Sequence, residues 1–348
     1  MPSNLFIRAD ASVSIGTGHI MRMIALGQAW QAQGGEVHFL CAEITPALEQ
    51  RLASEGFHLS RIHATLGSPE DLSETMRLIS ETLQADRQNA RVVLDGYHFG
   101  SDYQLGIKAA GFKLLVVDDY GHAGFYHADW VLNQNISARE ELYAKRSPDT
   151  KLLLGPKFAM LRKEFLAYKG WQREIAPVAK KILVTLGGSD PDNVTLKVIQ
   201  ALIDFDLHVK VVVGGSNPHL PDLQQVLENK KTPPAKMELV INPADMPGLM
   251  AWADLAIAAG GSTFWELAFF GIPSILFTLA ENQKDSIQKI RKAEVAIIIE
   301  DRENCSDCFS KQFLANYNQR KKLKRISDSC LELIDGNGCE RAITAIIN

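Results

Sequence analysis

What the sequence lacks narrows it first. No apolar stretch approaches the roughly 20 residues needed to span a bilayer, so neither a membrane-embedded chain nor a membrane partner is expected. No basic excess exists either: the formal net charge is -4 and the isoelectric point about 6.2. A nucleic-acid partner, which needs a cationic face, is therefore not expected. The local run Arg320, Lys321, Lys322, Lys324 and Arg325 reads as a solvated helix face rather than an anion site. Cysteines number five, and an odd count excludes a fully paired disulfide framework and suits a reducing compartment. Cys305-Ser-Asp-Cys308 is a lone CxxC with no second pair and no thioredoxin-like strand before it, so it reads as two unpaired thiols. Met1-Pro-Ser-Asn4 runs straight into a strand-like stretch rather than a leader, and a cytoplasmic location is expected.

What is present is ordinary globular composition, 46% hydrophobic and 22% charged, over 348 residues. That length accommodates two domains, each large enough to bury its own core. The first half alternates short apolar runs with amphipathic stretches. Strands are predicted at Leu5–Ala9, Val37–Ala42, Arg91–Asp95, Lys113–Asp118, Trp130–Asn133 and Lys151–Leu154. A helical stripe of Ile20, Met23, Ile24, Gly27 and Trp30 ends at Gly34-Gly35. The second half repeats the rhythm, with strands predicted at Lys181–Leu186, Val209–Val213, Glu238–Ile241, Leu255–Ala258, Ser274–Phe277 and Ala296–Ile299. Continuous apolar runs separated by helices imply parallel sheets covered on both faces. The expected fold is α/β, with two Rossmann-like doubly wound domains facing across a cleft. Their boundaries are expected at 1–167 and 168–348, with a polar linker from Tyr168 to Lys180 and a helical tail after Ser306.

Two loops carry chemistry. After the first strand comes Asp10-Ala-Ser-Val-Ser-Ile-Gly16-Thr17-Gly18-His19. It resembles a dinucleotide fingerprint only partly, because Met21 stands where the third glycine belongs, and NAD is not expected. His19 opens a helix, whose positive end disfavours an imidazolium and suits a ring that takes a proton from water. On the residues alone it is either such a base or an exposed cap, and a nearby carboxylate such as Asp10 could orient it. In the second half, Gly260-Gly261-Ser262-Thr263 opens a helix directly after an apolar strand, with Glu266 one turn in. Free amides and hydroxyls there favour a phosphate, and the carboxylate suits the hydroxyls of a ribose. A capping arrangement, with Ser262 as the cap and Glu266 solvated, is the alternative. Gly187-Gly188-Ser189-Asp190 and Ala280-Glu281-Asn282-Gln283 end at the same sheet edge, where Ser189 or Asp190 could equally cap the next helix. The stretch holding Asp118, Asp119, His122, His127 and Asp129 is dense in metal-ligand types, but its histidines are spaced poorly for one helical face, and no metal or other cofactor is expected.

These motifs together resemble the UDP-2,4-diacetamido-2,4,6-trideoxy-beta-L-altropyranose hydrolases of pseudaminic acid biosynthesis. The resemblance rests on Ile7-Arg8-Ala9-Asp10 with Gly16 to Arg22, Asp95-Gly-Tyr97-His98, Asp118-Asp119 with His122, and Ala128-Asp129 with Asn133. It continues through Met160-Leu-Arg162-Lys-Glu164-Phe165, Leu186 to Asp190 and Asn282-Gln283, up to about residue 300. It implies a glycosyltransferase B-type fold and hydrolysis of a UDP-sugar, with His19 as general base. Arg162 and Asn282 would touch substrate and Tyr97 would line the sugar pocket, with Asp10 and Gly18 of the opening motif beside them. UDP would be held by Gly188, Gly261, Ser262 and Thr263, with Glu266 on its ribose. Spore-coat polysaccharide proteins share several of these motifs. The competing expectations are a glycosyltransferase of the same fold with a UDP-sugar donor, a UDP-sugar 2-epimerase and a non-catalytic binder. The sequence leaves the oligomeric state open.

Overall fold

The computed structural model describes residues 4–12, 14–83, 90–187, 190–214, 217–229, 235–278, 284–299 and 305–347. The chain divides into two compact units, Met1–Leu166 joined by Gly336–Asn348, and Ala167–Asp335.

The first unit runs β1 (Asn4–Ala9), α1 (Gly18–Gln31), β2 (Glu36–Cys41), α2 (Pro46–Ser54), β3 (His58–Arg61), α3 (Pro69–Leu83) and β4 (Arg91–Asp95). It continues through α4 (Ser101–Ala109), β5 (Lys113–Val117), β6 (Trp130–Asn133), β7 (Lys151–Leu154) and α5 (Lys163–Leu166). The strand order is β3-β2-β1-β4-β5-β6-β7, and every pairing is parallel. Alternate residues of each central strand enter opposite cores. Leu5, Ile7 and Ala9 pack with Val93, Leu115 and Val117 on one face, while Phe6 packs with Val92, Leu94, Leu114 and Val116 on the other. Two-faced burial of this kind, at about 1.5–3 kcal/mol per large aliphatic side chain, is why these strands read as mostly apolar runs. β3 escaped the sequence reading because His-Leu-Ser-Arg at a sheet edge shows neither a run nor an alternation.

The second unit runs β8 (Lys181–Thr185), α6 (Val194–Leu202), β9 (His208–Val213), α7 (Leu220–Asn229), β10 (Lys236–Ile241), α8 (Met246–Trp252) and β11 (Leu255–Ala259). Then follow α9 (Thr263–Phe269), β12 (Ser274–Phe277), α10 (Lys284–Lys292), β13 (Ile297–Ile299), α11 (Cys305–Asn316) and α12 (Arg320–Leu333). Its parallel sheet has the order β10-β9-β8-β11-β12-β13. No described helix is long and apolar enough to cross a membrane.

The last helix, α13 (Gly338–Ile347), groups with the first unit, not with the second as expected from its place in the chain. Its stripe of Cys339, Ala342, Ile343 and Ile346 is buried in the same core as Ile24, Val37 and Phe39. The spacing of that stripe gives one apolar helical face, and the first unit's core is where it finds cover. The helix approaches closely enough that a Cβ on Gly338 would lie 2.1 Å from the Ala159 carbonyl oxygen. Gly338→Ala should therefore displace α13 and lower stability by about 1–3 kcal/mol, read as a shifted urea midpoint. An unchanged midpoint would mean the helix end is not seated as described.

Candidate functional site

In a doubly wound sheet the strand order reverses at one point, and the loops leaving the two strands there diverge and open a crevice at their carboxyl ends. In the first unit that point lies between β1 and β4. The loop after β1 closes on itself, with the Gly16 amide donating to the Ser12 carbonyl at 2.8 Å. Gly16 has φ +81, a left-handed value that favours glycine. The turn delivers the chain into α1 with His19 as its second residue, half-buried beside the end of β4.

His19 is oriented by Asp95, the last residue of β4, whose Oδ1 lies 2.6 Å from His19 Nδ1. Sequence reasoning offered Asp10 for this role, and the structure assigns Asp10 elsewhere. Its Oδ1 accepts the amides of Ala42 and Glu43, and its Oδ2 accepts from Arg8 at 2.6 Å and lies 3.2 Å from His98 Nε2. Asp10 thus ties the loop after β2 to β1. Asp95 is itself clamped by Arg22, one helical turn beyond His19. Arg22 Nε donates to Oδ2 at 2.7 Å and Nη2 to Oδ1 at 2.6 Å. Its Nη1 reaches across to both oxygens of Asp119, at 2.8 and 3.0 Å. Tyr97 donates its hydroxyl to Asp119 at 2.6 Å, and Asn135 donates to the same carboxylate at 2.7 Å. The Tyr97 ring meets the His19 ring edge-on, with centroids 5.1 Å apart.

Burial alone would raise the Asp95 carboxyl, but the Arg22 charge and the His19 and Arg22 hydrogen bonds hold it below the ordinary carboxylate range. Asp119 is likewise pulled down against its burial by Arg22 and Tyr97. An ionised Asp95 can only accept, so Nδ1 of a neutral His19 carries the proton and Nε2 is left with a lone pair. The Arg22 Nη2 contact with Nδ1, at 3.3 Å, is longer than the carboxylate contact and lacks an acceptor, so it does not change that assignment.

The metal-ligand types of the 118–129 stretch are engaged separately. Asp118 Oδ1 accepts the amides of Asp119, Tyr120 and Gly121, and its Oδ2 accepts the Tyr126 hydroxyl and lies 3.3 Å from His122 Nδ1. Asp129 pairs with Lys108 and Lys113. Among the described residues the close grouping of metal-ligand types is Glu36, His38 and His58, which the sequence reading did not single out. Arg162 is buried, pairs with Glu164 at 3.3 Å and lies over the Phe165 ring at 4.8 Å.

In the second unit the reversal lies between β8 and β11, and both glycine loops leave from it. Gly261, Ser262 and Thr263 are partly exposed at the start of α9, and Glu266 is half-buried one turn along. The Ser262 side chain makes no capping hydrogen bond, so the bland alternative for it is not realised. For Asp190 it is: both carboxylate oxygens cap α6 through the amides of Val194 and Thr195. Gly188 and Asn282 lie outside the described residues.

Residues 182–332 match the glycosyltransferase family 28 C-terminal domain. The chain is 27% identical to the UDP-2,4-diacetamido-2,4,6-trideoxy-beta-L-altropyranose hydrolase of Campylobacter jejuni, over 64% of this chain and 73% of that protein. It is 30% identical to the pseudaminic acid cytidylyltransferase and UDP-2,4-diacetamido-2,4,6-trideoxy-beta-L-altropyranose hydrolase of Helicobacter pylori, over 59% of this chain and 37% of that protein. To the spore coat polysaccharide biosynthesis protein SpsG of Bacillus subtilis it is also 30% identical, over 49% of this chain and 50% of that one. The chain spans about half the length of several of the curated relatives it matches. Among solved structures, MurG of Acinetobacter baumannii superposes with a TM-score of 0.67 at 16% identity, covering 99% of both chains. CalG4, the calicheamicin glycosyltransferase, does so with 0.61 at 14%, covering 100% of this chain and 99% of that one. The expected resemblance therefore holds, and the fold is the glycosyltransferase B type, two parallel-sheet α/β domains.

The carboxylates of this site make stability pH-dependent. Asp10, Asp95, Asp118 and Asp119 all have folded values below the ordinary 3.8. Their contribution is complete above that value and is lost as pH falls through the folded values. His122 is shifted the other way: burial opposes its charge, but Asp118 raises it above 6.5. Its contribution is complete below 6.5 and fades as pH rises through its folded value. The urea midpoint should thus be broad near pH 5–6 and fall steeply below about pH 4. A midpoint that rises on acidification below pH 4 would contradict the ionised network.

Proposed function

We propose that this chain hydrolyses a UDP-linked diacetamido-trideoxy sugar to UDP and free sugar in the cytoplasm, as a step towards pseudaminic acid. The observation that carries the reading is the 2.6 Å contact between His19 Nδ1 and Asp95 at the sheet reversal, which leaves Nε2 to take a proton. Relatives carrying the hydrolase name support the substrate class. In this reading Nε2 removes a proton from water as the oxygen attacks the anomeric carbon. The bond from that carbon to the UDP oxygen breaks, UDP departs with the electron pair, and the centre inverts. Tyr97, Arg162, Asn282, Asp10 and Gly18 are assigned to the sugar side of the substrate. For Asp10, engaged as it is, that assignment means shaping the loop rather than touching the ligand. The amides and hydroxyls of Gly261, Ser262 and Thr263, with Gly188, are assigned to the diphosphate, and Glu266 to the ribose. The reaction needs no metal in this scheme, because a histidine base and a stabilised leaving group suffice.

A second reading is transfer of the sugar to an acceptor other than water. The family 28 match and the likeness to MurG and CalG4 favour it. UDP release measured with and without candidate acceptors separates the two, since the hydrolase releases UDP at full rate with none.

His19→Ala or His19→Asn should slow turnover roughly 10²–10⁴-fold while leaving UDP binding intact. In oxygen-18 water the label should enter the free sugar, and the inverted anomer should appear first by NMR. Near-normal turnover in either variant, or label in the UDP phosphate, would sink the mechanism. Turnover should also persist in EDTA. Glu266→Ala should weaken UDP binding by about 1.5–3 kcal/mol in titration calorimetry and affect saturated turnover less. An unchanged dissociation constant would remove Glu266 from the ribose.

A further inference from the structure

At the amino ends of the first unit's strands, opposite the edge that carries His19, the register brings together three side chains with no role in the reaction proposed above. Phe6 of β1, His38 of β2 and His58 of β3 are consecutive partners across the sheet. Residues in register across parallel strands project to the same face, and the rings form a stack: Phe6 on His38 at 4.9 Å, and His38 on His58 at 4.7 Å. Glu36 lies two residues before His38, so the strand's period of two returns it to that face. Its partner in register is Asn4.

We propose that Glu36, His38 and His58 form a binding site for a divalent transition-metal ion of the imidazole-favouring kind, with zinc as its representative. The ligand atoms of the three lie within 4.8 Å of one another. Tetrahedral zinc with bonds of 2.0–2.2 Å needs ligand atoms about 3.4 Å apart, and imidazole lone pairs lie in the ring plane, so closure asks for a shift of roughly an ångström or more and for the His58 ring, now only 18° from parallel with His38, to turn out of the stack. Glu36, whose side chain is 69% exposed, and the exposed His58 can supply it by turning. His38 is the fixed ligand, held between Phe6 and His58 with its side chain 12% exposed. Its Nε2 is 3.7 Å from Glu36 Oε2 and donates to Asn4 Oδ1 at 2.9 Å, a hydrogen bond that must give way when Nε2 turns its lone pair to an ion. Two imidazoles and one carboxylate are a donor set for zinc, nickel or copper rather than magnesium or calcium. A bound ion would fasten β3, a four-residue edge strand, to β2, and so stabilise the fold by mass action.

The test uses the full, untagged chain stripped with a chelator and titrated with zinc sulfate. Calorimetry should find a zinc site that weakens at least ten-fold in His58→Ala and to a smaller degree in Glu36→Gln. His58 is exposed at an edge, so the variant should fold, which circular dichroism checks. Thermal unfolding gives the second readout: zinc should raise the melting temperature of the parent chain and not that of His58→Ala. Identical isotherms and identical zinc-induced shifts in the parent and His58→Ala would overturn the site, as would the absence of both zinc binding and a shift in the parent.

Discussion

Arg22 is the side chain on which the first unit's chemistry rests. Its guanidinium spans two carboxylates that arrive on different strands, Asp95 at the end of β4 and Asp119 just after β5. Placing this cation and the fully buried Asp95 away from water costs several kcal/mol per ion, and the cost is met only because the fork geometry satisfies both charges with hydrogen bonds. Losing one partner would leave the other charged and buried, at about 3–5 kcal/mol. The helix that bears His19 is therefore fastened to the sheet by an interaction that tolerates little displacement. That fixity is what the proposed base, oriented through its Nδ1, requires, since an imidazole that swings about χ2 presents the wrong nitrogen.

A second buried cation performs a parallel task beside it. Arg8, fully buried within β1, binds Asp71 of α3 through two nitrogens at 3.0 and 2.8 Å and Asp10 at 2.6 Å. Asp71 also accepts from Tyr103 at 2.8 Å and from the Gly67 amide at 2.9 Å. Through Asp10 and Asp71 the cation organises the loops after β2 and β3, while Arg22 organises those after β4 and β5. The carboxyl edge of the first sheet is thus set by two charged clusters and not by apolar packing. The second unit has the same order in its first six strands, and the described residues at its reversal include the small Gly187, Gly260, Gly261, Ser262 and Thr263. The proposed division of labour fits this: proton transfer needs fixed charges, and a diphosphate needs neutral donors on a backbone it can approach.

The chain's own sequence settled the α/β class and, among the described residues, every strand save the edge strand β3, and it marked the two glycine loops proposed to carry the chemistry. The physical reason is local: a strand buried on both faces is mostly apolar, with Arg8 of β1 a buried charge satisfied by Asp10 and Asp71, and a turn with positive φ favours glycine at Gly16. Sequence singles out His19 as a candidate because a histidine at a glycine turn has no packing purpose. It could not pair His19 with Asp95, 76 residues away, and Asp10 was the nearer carboxylate along the chain. The i, i+3 spacing of His19 and Arg22 in α1 places both on one helix face, the local sign of their shared carboxylate. Only the tertiary structure decided which carboxylate met which cation, that α13 returned to the first unit, and that Glu36, His38 and His58 shared a face. Each of these depends on strand register and on where an apolar stripe finds cover, and those are properties of segments far apart in sequence, fixed only when the sheet assembles.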